Sequence, residues 1–186
     1  MITPKIKKEG TQVVFGPCRL SYTHLFQKFA GNDDSDGGKY QTYVLIPKDE
    51  KETVDALESA VEQARKAAVV SKWHGKDLKK FESPLRDGDD KDDPEYEGMW
   101  YLNAKCKTRP GIVDAHGAPI ADEEEIYSGV WCYVSVTFYG YDFNGNKGVA
   151  VGLNNVMKYK DGDRMGGRSS AESDFEGLTS EEEEDW

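Results

Sequence analysis

Apolar and polar residues alternate with a period of two in five separate stretches of this chain, and with a period near 3.6 in one. The period-two stretches are VVFGPCRLSY (13–22), KYQTYVLIP (39–47), WYLNAKCKTR (100–109), VWCYVSVTFYGYDF (130–143) and KGVAVGLNNVMKYK (147–160). Each reads as a β-strand. Gly16-Pro17 inside the first marks a bulge or an edge position. Asn144-Gly145-Asn146 joins the last two as a hairpin turn. The helical stretch follows the second strand: Val54, Leu57, Val61, Ala64 and Ala68 fall on one stripe, and Asp49 stands where an N-cap is expected. The segments 31–38 and 71–99 are polar and irregular, residues 1–10 form a loose basic arm, and periodicity stops at Asp161. Five strands with one helix after the second, and no βαβ alternation, predict a mostly β fold with one inserted helix, a small antiparallel barrel. The expected division is a folded domain over 1–162 and a disordered acidic tail over 163–186.

Strand parity sorts side chains onto two faces. In 100–109 the even positions, Trp100, Leu102, Ala104, Cys106 and Thr108, form a largely apolar core face. The odd positions are Tyr101, Asn103, Lys105, Lys107 and Arg109. In 130–143 the even face is Val130, Cys132, Val134, Val136 and Phe138, and the odd face carries Trp131, Tyr133, Tyr139 and Tyr141 with Ser135 and Thr137. Lys, Thr and Tyr are common on any solvated β face. Cations and outward rings on two separate strands are also what a single-stranded nucleic acid requires: charges to follow phosphates and flat rings on which bases stack.

Net charge at first opposes that partner, since the total is −11. The acid is segregated, however. Eight acids and no base follow Arg168, and removing them leaves −3 for residues 1–168. Three acidic loops (87–97, 122–125, and Asp33, Asp34 and Asp36) account for a further −13, so the remaining framework carries +10. Local sign, not the total, selects partners. No apolar run approaches the ~18 residues of a membrane span, and the N-terminus lacks a secretory apolar core. Cys18, Cys106 and Cys132 show no metal-ligand spacing and read as reduced, buried thiols of a cytosolic protein.

Other groups invite chemistry. Trp73, Lys76, Lys79 and Lys80, with Arg86 beyond, form a second basic and aromatic patch that reads either as a solvated loop or as a clamp on a bound strand. Asp87, Asp89, Asp90, Asp92 and Asp93 suggest a cation loop, but Lys91 occupies a ligand position and the glycine is misplaced for calcium. His24, His74 and His116 share no ligand spacing, and no nucleophile–base–orienter set can be assembled. No cofactor motif is present. The tail ends in Glu181, Glu182, Glu183, Glu184, Asp185 and Trp186. A mobile acidic peptide with one apolar anchor suits a basic-rimmed pocket on a partner, or the chain's own cationic groove as a polyphosphate mimic.

The segments RLSYTHLF (19–26), KYQTYVLIPK (39–48), PLRDGD (84–89), NAKCKTRPGIVD (103–114), YSG (127–129) and GNKGVAVGLNNVMK (145–158) resemble a family of bacteriophage single-stranded-DNA-binding proteins. The resemblance spans about residues 10–160. It implies an OB-fold that coats single-stranded DNA during phage replication and recombination, without catalytic activity, in the host cytoplasm. Parity and chemistry assign Arg86, Lys105, Lys107, Arg109 and Lys158 to phosphates, Tyr101, Tyr133, Tyr139 and Tyr141 to bases, and Trp100 to the core. The acidic tail is expected to meet phage or host replication and recombination proteins. Two other readings stay open: a metal-dependent nuclease built on the carboxylates of 87–93, and an acidic DNA mimic that binds a basic protein.

Overall fold

The longest strand of the protein bends through two sheet neighbourhoods, and the barrel is organised around it. The computed structural model describes residues 5–29 and 38–165, with Phe175 and Leu178. Strand β1 (Lys5–Glu9) turns back at Gly10, where φ is +61°, into β2 (Gln12–Phe29). There follow β3 (Lys39–Pro47), helix α1 (Lys51–Ser71), β4 (Arg86–Asp87), β5 (Met99–Cys106), β6 (Gly111–Val113), β7 (Trp131–Phe143) and β8 (Asn146–Lys160). The N-terminal half of β2 pairs with β7 and its C-terminal half, from Arg19 to Phe29, with β3. Strand β3 continues to β5 and β7 to β8, all antiparallel. The circle closes where β5 meets β8 in parallel, Lys105 opposite Gly152. Five strands thus form a closed barrel in the order β5-β3-β2-β7-β8, with β4, β1 and β6 added at its margins.

On β5 and β7 the core face is the one parity assigns, with Leu102, Ala104, Val134, Val136 and Phe138 buried, and Val13, Phe15, Leu20, Val44, Ile46, Val151 and Leu153 join them in the core. The helical stripe Val54, Leu57, Val61, Ala64 and Ala68 is buried too, chiefly against β7. Trp100 is partly buried against this core. The Gly16-Pro17 site is a register shift in the β2–β7 pairing, between Phe15 and Cys18. Asn144 (φ +53°) and Gly145 (φ +84°) make the two-residue hairpin turn, both left-handed as a type I′ turn requires.

Several expectations are corrected. The basic arm is not loose from residue 5 onward: Ile6 packs against the core and β1 pairs with β2 from Lys5 to Glu9. Asp49 does not cap α1. A turn closed by the Glu50 amide on the Pro47 carbonyl (3.1 Å) delays the helix by a residue, leaving Glu50 as N-cap without a side-chain bond. The polar stretch after α1 is anchored by three buried side chains, Trp73, Leu85 and Tyr96. Trp73 therefore leaves the basic patch; it is 0% exposed, and its indole N–H donates to the Tyr141 carbonyl at 3.0 Å. After β8, the Arg19 guanidinium donates to the Asp163 carbonyl (2.6 Å) and the Met165 amide to that of Ser128 (2.9 Å), so the chain stays on the barrel through Met165. The loop expected at 31–38 lies outside the described residues except for Gly38, as does nearly all of the tail beyond Met165.

Candidate nucleic-acid interface

The β7–β8 hairpin runs past the barrel rim, and the odd positions of β7 line its outer face. Tyr139 is 45% exposed and Phe143 73%. Their cross-strand neighbours are small: Tyr139 faces Ala150 and Tyr141 faces Gly148. A Cβ on Gly148 would stand 2.6 Å from the Tyr141 hydroxyl oxygen, and one on Gly152 would stand 3.4 Å from Cε1 of Tyr139. Glycines on β8 thus let both rings lie down on the hairpin. The end of α1 fixes the backbone behind them, through Lys72 Nζ on the Gly140 carbonyl (2.8 Å) and the Trp73 indole on that of Tyr141.

Barrel closure sets this hairpin beside β5. An open groove of about 950 Å³ lies between them, walled on the far side by the segment that leads into β4. Among the described residues, Lys39, Lys80, Arg86, Lys105, Lys107 and Lys147 line it with one carboxylate, Glu82. Tyr139, Tyr141 and Phe143 supply the rings, and Asn103 an amide. Chemically this is a cationic trough with a ring-faced wall. It can neutralise a run of phosphates while offering π faces to unpaired bases.

Five of the expected residues meet here: Arg86, Lys105, Lys107, Tyr139 and Tyr141. Four lie elsewhere. Tyr101 is on the same face of β5, two positions beyond Asn103, packed on Tyr43 and Tyr96 at 5.9 and 5.3 Å between ring centroids. Arg109 lies past the end of β5, its guanidinium 5.0 Å over the Phe26 ring. Tyr133 is not outward: it is 8% exposed, edge-on to Tyr159, and so close to Gly16 that a Cβ there would stand 2.7 Å from its ring. Lys158 is not a free cation. Its side chain is 12% exposed and holds Glu125 (2.6 Å) and Asp161 (2.7 Å). Burial works against that ammonium, yet its hydrogen bonds to Asp161 and Glu125 prevail and raise its pKa. Parity missed Lys39, Lys80 and Lys147 as groove residues; Lys80 was visible as part of a basic patch, and Phe143 continues the odd face of β7. The tail residues Glu181, Glu182, Glu183, Glu184, Asp185 and Trp186 lie outside the described residues.

The acidic loop has internal work. Lys48 Nζ bridges Asp87 (2.5 Å) and Asp89 (2.6 Å) and sits 5.0 Å over the Trp100 ring. Hydrogen bonds from Lys48 hold both carboxyls below the usual range, aided by the backbone amides of Asp89 and Gly98. Asp93 accepts from the Glu95 amide at 3.0 Å. Among the described residues no three His, Cys, Asp or Glu side chains are grouped to hold a metal ion, and no helix is long and apolar enough to cross a membrane.

A closed five-stranded barrel of OB type, opened on one side into a cationic, ring-walled groove, is the class that fold and site define. The chain belongs to the family described as Enterobacter phage Enc34, ssDNA-binding protein, whose model matches residues 11–186. It is 33% identical over 178 residues to "Putative protein p50" of Acyrthosiphon pisum secondary endosymbiont phage 1, covering 90% of this chain and 94% of that one. Among solved structures it is similar to the single-stranded DNA-binding protein from bacteriophage Enc34 in complex with ssDNA. That match has 28% identity and a TM-score of 0.68, over 88% of this chain and 97% of the other. The gp2.5 protein of bacteriophage T7, a single-stranded DNA binding protein, shares the fold at 18% identity and a TM-score of 0.58, over 96% and 97% of the two chains.

Proposed function

We propose that this protein coats single-stranded DNA without sequence preference, protecting it during phage DNA replication and recombination in the host cytoplasm. The observation that carries this reading is the groove: six cations and three rings, drawn from β3, β5, the β7–β8 hairpin and the segment before β5, converge on one open trough. The related Enc34 protein, solved with ssDNA, supports it. Phosphate contacts supply sequence-independent affinity, and rings accept any base. A duplex keeps its bases stacked on each other and leaves the rings unused. The reading needs no bond making or breaking. Residues 1–162 serve as the binding domain and 163–186 as a tail, with Asp163 and Met165 as its stem; the acidic end with Trp186 contacts phage or host replication and recombination proteins. The test is a titration of fluorescent oligo-dT, beside duplex of equal length, across salt. With about −0.7 in log K per log salt for each phosphate neutralised, engagement of all six groove cations gives a slope near −4. A flat salt response, or a preference for duplex, overturns the assignment.

A further inference from the structure

Lys91 interrupts the acidic loop, and the groove gives it no role. Among the described residues it forms no ion pair, although Asp90, Asp92 and Asp93 surround it in the chain. Its ammonium instead stands 4.4 Å from the ring centroids of Tyr43 and Tyr96 and 5.3 Å from those of Tyr22 and Tyr101. The four rings pack edge-on or tilted against one another, with centroids 5.3 to 6.4 Å apart along the chain of contacts. A cation boxed by four π faces is an aromatic cage, the arrangement that proteins use to hold ammonium ligands. Here the ligand is the protein's own side chain.

The cage stands at the end of the groove. Tyr101, Asn103 and Lys105 alternate along one face of β5. In the sheet register Tyr43 is opposite Asn103, and Arg86 is opposite Tyr101. From Lys105 to Tyr101 is about 13 Å of strand. Among the described residues the buried Asn103 Oδ1 has no hydrogen-bond partner, which leaves an acceptor open on this stretch. Tyr22, half exposed, is held at φ +49°, which tyrosine rarely adopts. The root of the loop is fixed, because Lys48 clasps Asp87 and Asp89, and a Cβ on Gly88 would stand 2.2 Å from the Tyr96 carbonyl. Beyond that root the loop tip, residues 90–93, is tied down by short-range backbone bonds and by Lys91 in the cage.

We propose that the tyrosine cage is a base-stacking subsite of the same groove, held shut by Lys91, and that a strand long enough to reach it expels the lysine. The inference rests on the single-stranded-DNA reading above. A base stacks on the barrel tyrosines Tyr22, Tyr43 and Tyr101, and the released ammonium swings out into solvent, clear of the phosphates. While Lys91 is seated, the tip lays Asp90, Asp92 and Asp93 across the path of the strand and opposes entry. The cage therefore makes affinity depend on strand length.

Lysine acetylation with mass-spectrometric readout tests this on the full-length wild-type protein, free and with long or short oligo-dT. Long oligo-dT is expected to shield Lys105 and Lys107 and to raise the reactivity of Lys91; an oligonucleotide too short to reach the cage shields the groove lysines alone. Lys91→Met should tighten long oligo-dT roughly 2- to 30-fold, the worth of an exposed to desolvated cation–π contact expressed as a ratio, and leave the short one unchanged. Shielded Lys105 and Lys107 with unchanged or reduced Lys91 reactivity overturns the cage proposal and leaves the groove reading standing. So does weaker binding of Lys91→Met with a shallower salt slope, which would make Lys91 a phosphate contact. No oligo-dT binding and no shielding anywhere overturns both.

Discussion

Gly140 lies between the two groove tyrosines, and the side chain it lacks is where helix α1 meets the barrel. A Cβ at this position would stand 2.2 Å from Ala68 Cβ, with Ala68 Cα at 3.5 Å and the Ala64 carbonyl oxygen at 3.8 Å. Relaxed carbon contacts are about 3.5–4.0 Å, so Gly140→Ala must push the helix end away by about 1.5 Å. That end cannot yield freely. Lys72 and Trp73 bond the carbonyls of Gly140 and Tyr141, and Trp73 is fully buried. Overpacking of this kind costs about 1–3 kcal/mol, a fall of roughly 3–10 °C in Tm at this chain length. The sign is itself diagnostic, because alanine for glycine within an unobstructed strand stabilises by about 0.5–1 kcal/mol. Urea unfolding followed by tryptophan fluorescence measures the loss, and oligo-dT affinity reports whether Tyr139 and Tyr141 move with the backbone. Ala68→Gly removes the colliding methyl at a helix cost of about 1 kcal/mol. In the double variant the losses should not add; a coupling of about 0.5–3 kcal/mol is expected for residues in contact. Gly140→Ala as stable as wild type, or strict additivity with Ala68→Gly, refutes this account of how the helix holds the groove.

Lys107→Ala should weaken oligo-dT binding and make the salt slope shallower by about 0.7. Tyr139→Ala should cost about 1–3 kcal/mol with the slope nearly unchanged; wild-type binding by both variants would remove this face from the DNA path. Deleting residues 169–186 takes away eight acids. It should tighten oligo-dT several-fold at low salt, with the gain shrinking as salt rises, because a tethered polyanion competes at high effective concentration; unchanged or weaker binding counts against competition. Asp87 and Asp89 are held below the ordinary carboxylate range by Lys48. Their contribution is therefore present above the unfolded carboxyl value of about 3.9 and is lost as pH falls through the lower folded values. Asp87→Asn should lower Tm at pH 6 and make little difference near pH 2; a Tm gap that is the same at both pH values would sink the Lys48 clasp.

Where the controlling physics is local, the chain is legible from its residues. The parity of β5 gives Lys105, that of β7 gives Tyr139 and Tyr141, and Asn144-Gly145 gives the hairpin turn, because each follows from backbone geometry over a few residues. The stripe of α1 is visible for the same reason. Failures begin where a second element covers a face. Tyr133 has the same parity as Tyr139, but Gly16 and Tyr159 close over it, and Ser135 beside it accepts hydrogen bonds from Gln12 and Asn154. Lys158 is drawn from solvent by Glu125, 33 residues earlier, and by Asp161. Trp73 reads as a loop aromatic until the helix end and β7 are packed around it.

The sequence by itself determined the five barrel strands, though not β1, β4 or β6 at their margins, and with them the helix, the turn and the separation of a basic framework from acidic loops and tail, since periodicity and charge are properties of neighbours along the chain. Only the tertiary structure decided which cations lie together. Lys105 and Lys147 share a trough because β5 and β8 close the barrel in parallel at Lys105 and Gly152. Lys91 sits among tyrosines from β2, β3 and β5 because its loop folds back across them. Neither meeting leaves a local trace: each depends on which distant segments the closed sheet brings together, and on which rings and charges remain uncovered once the core is buried.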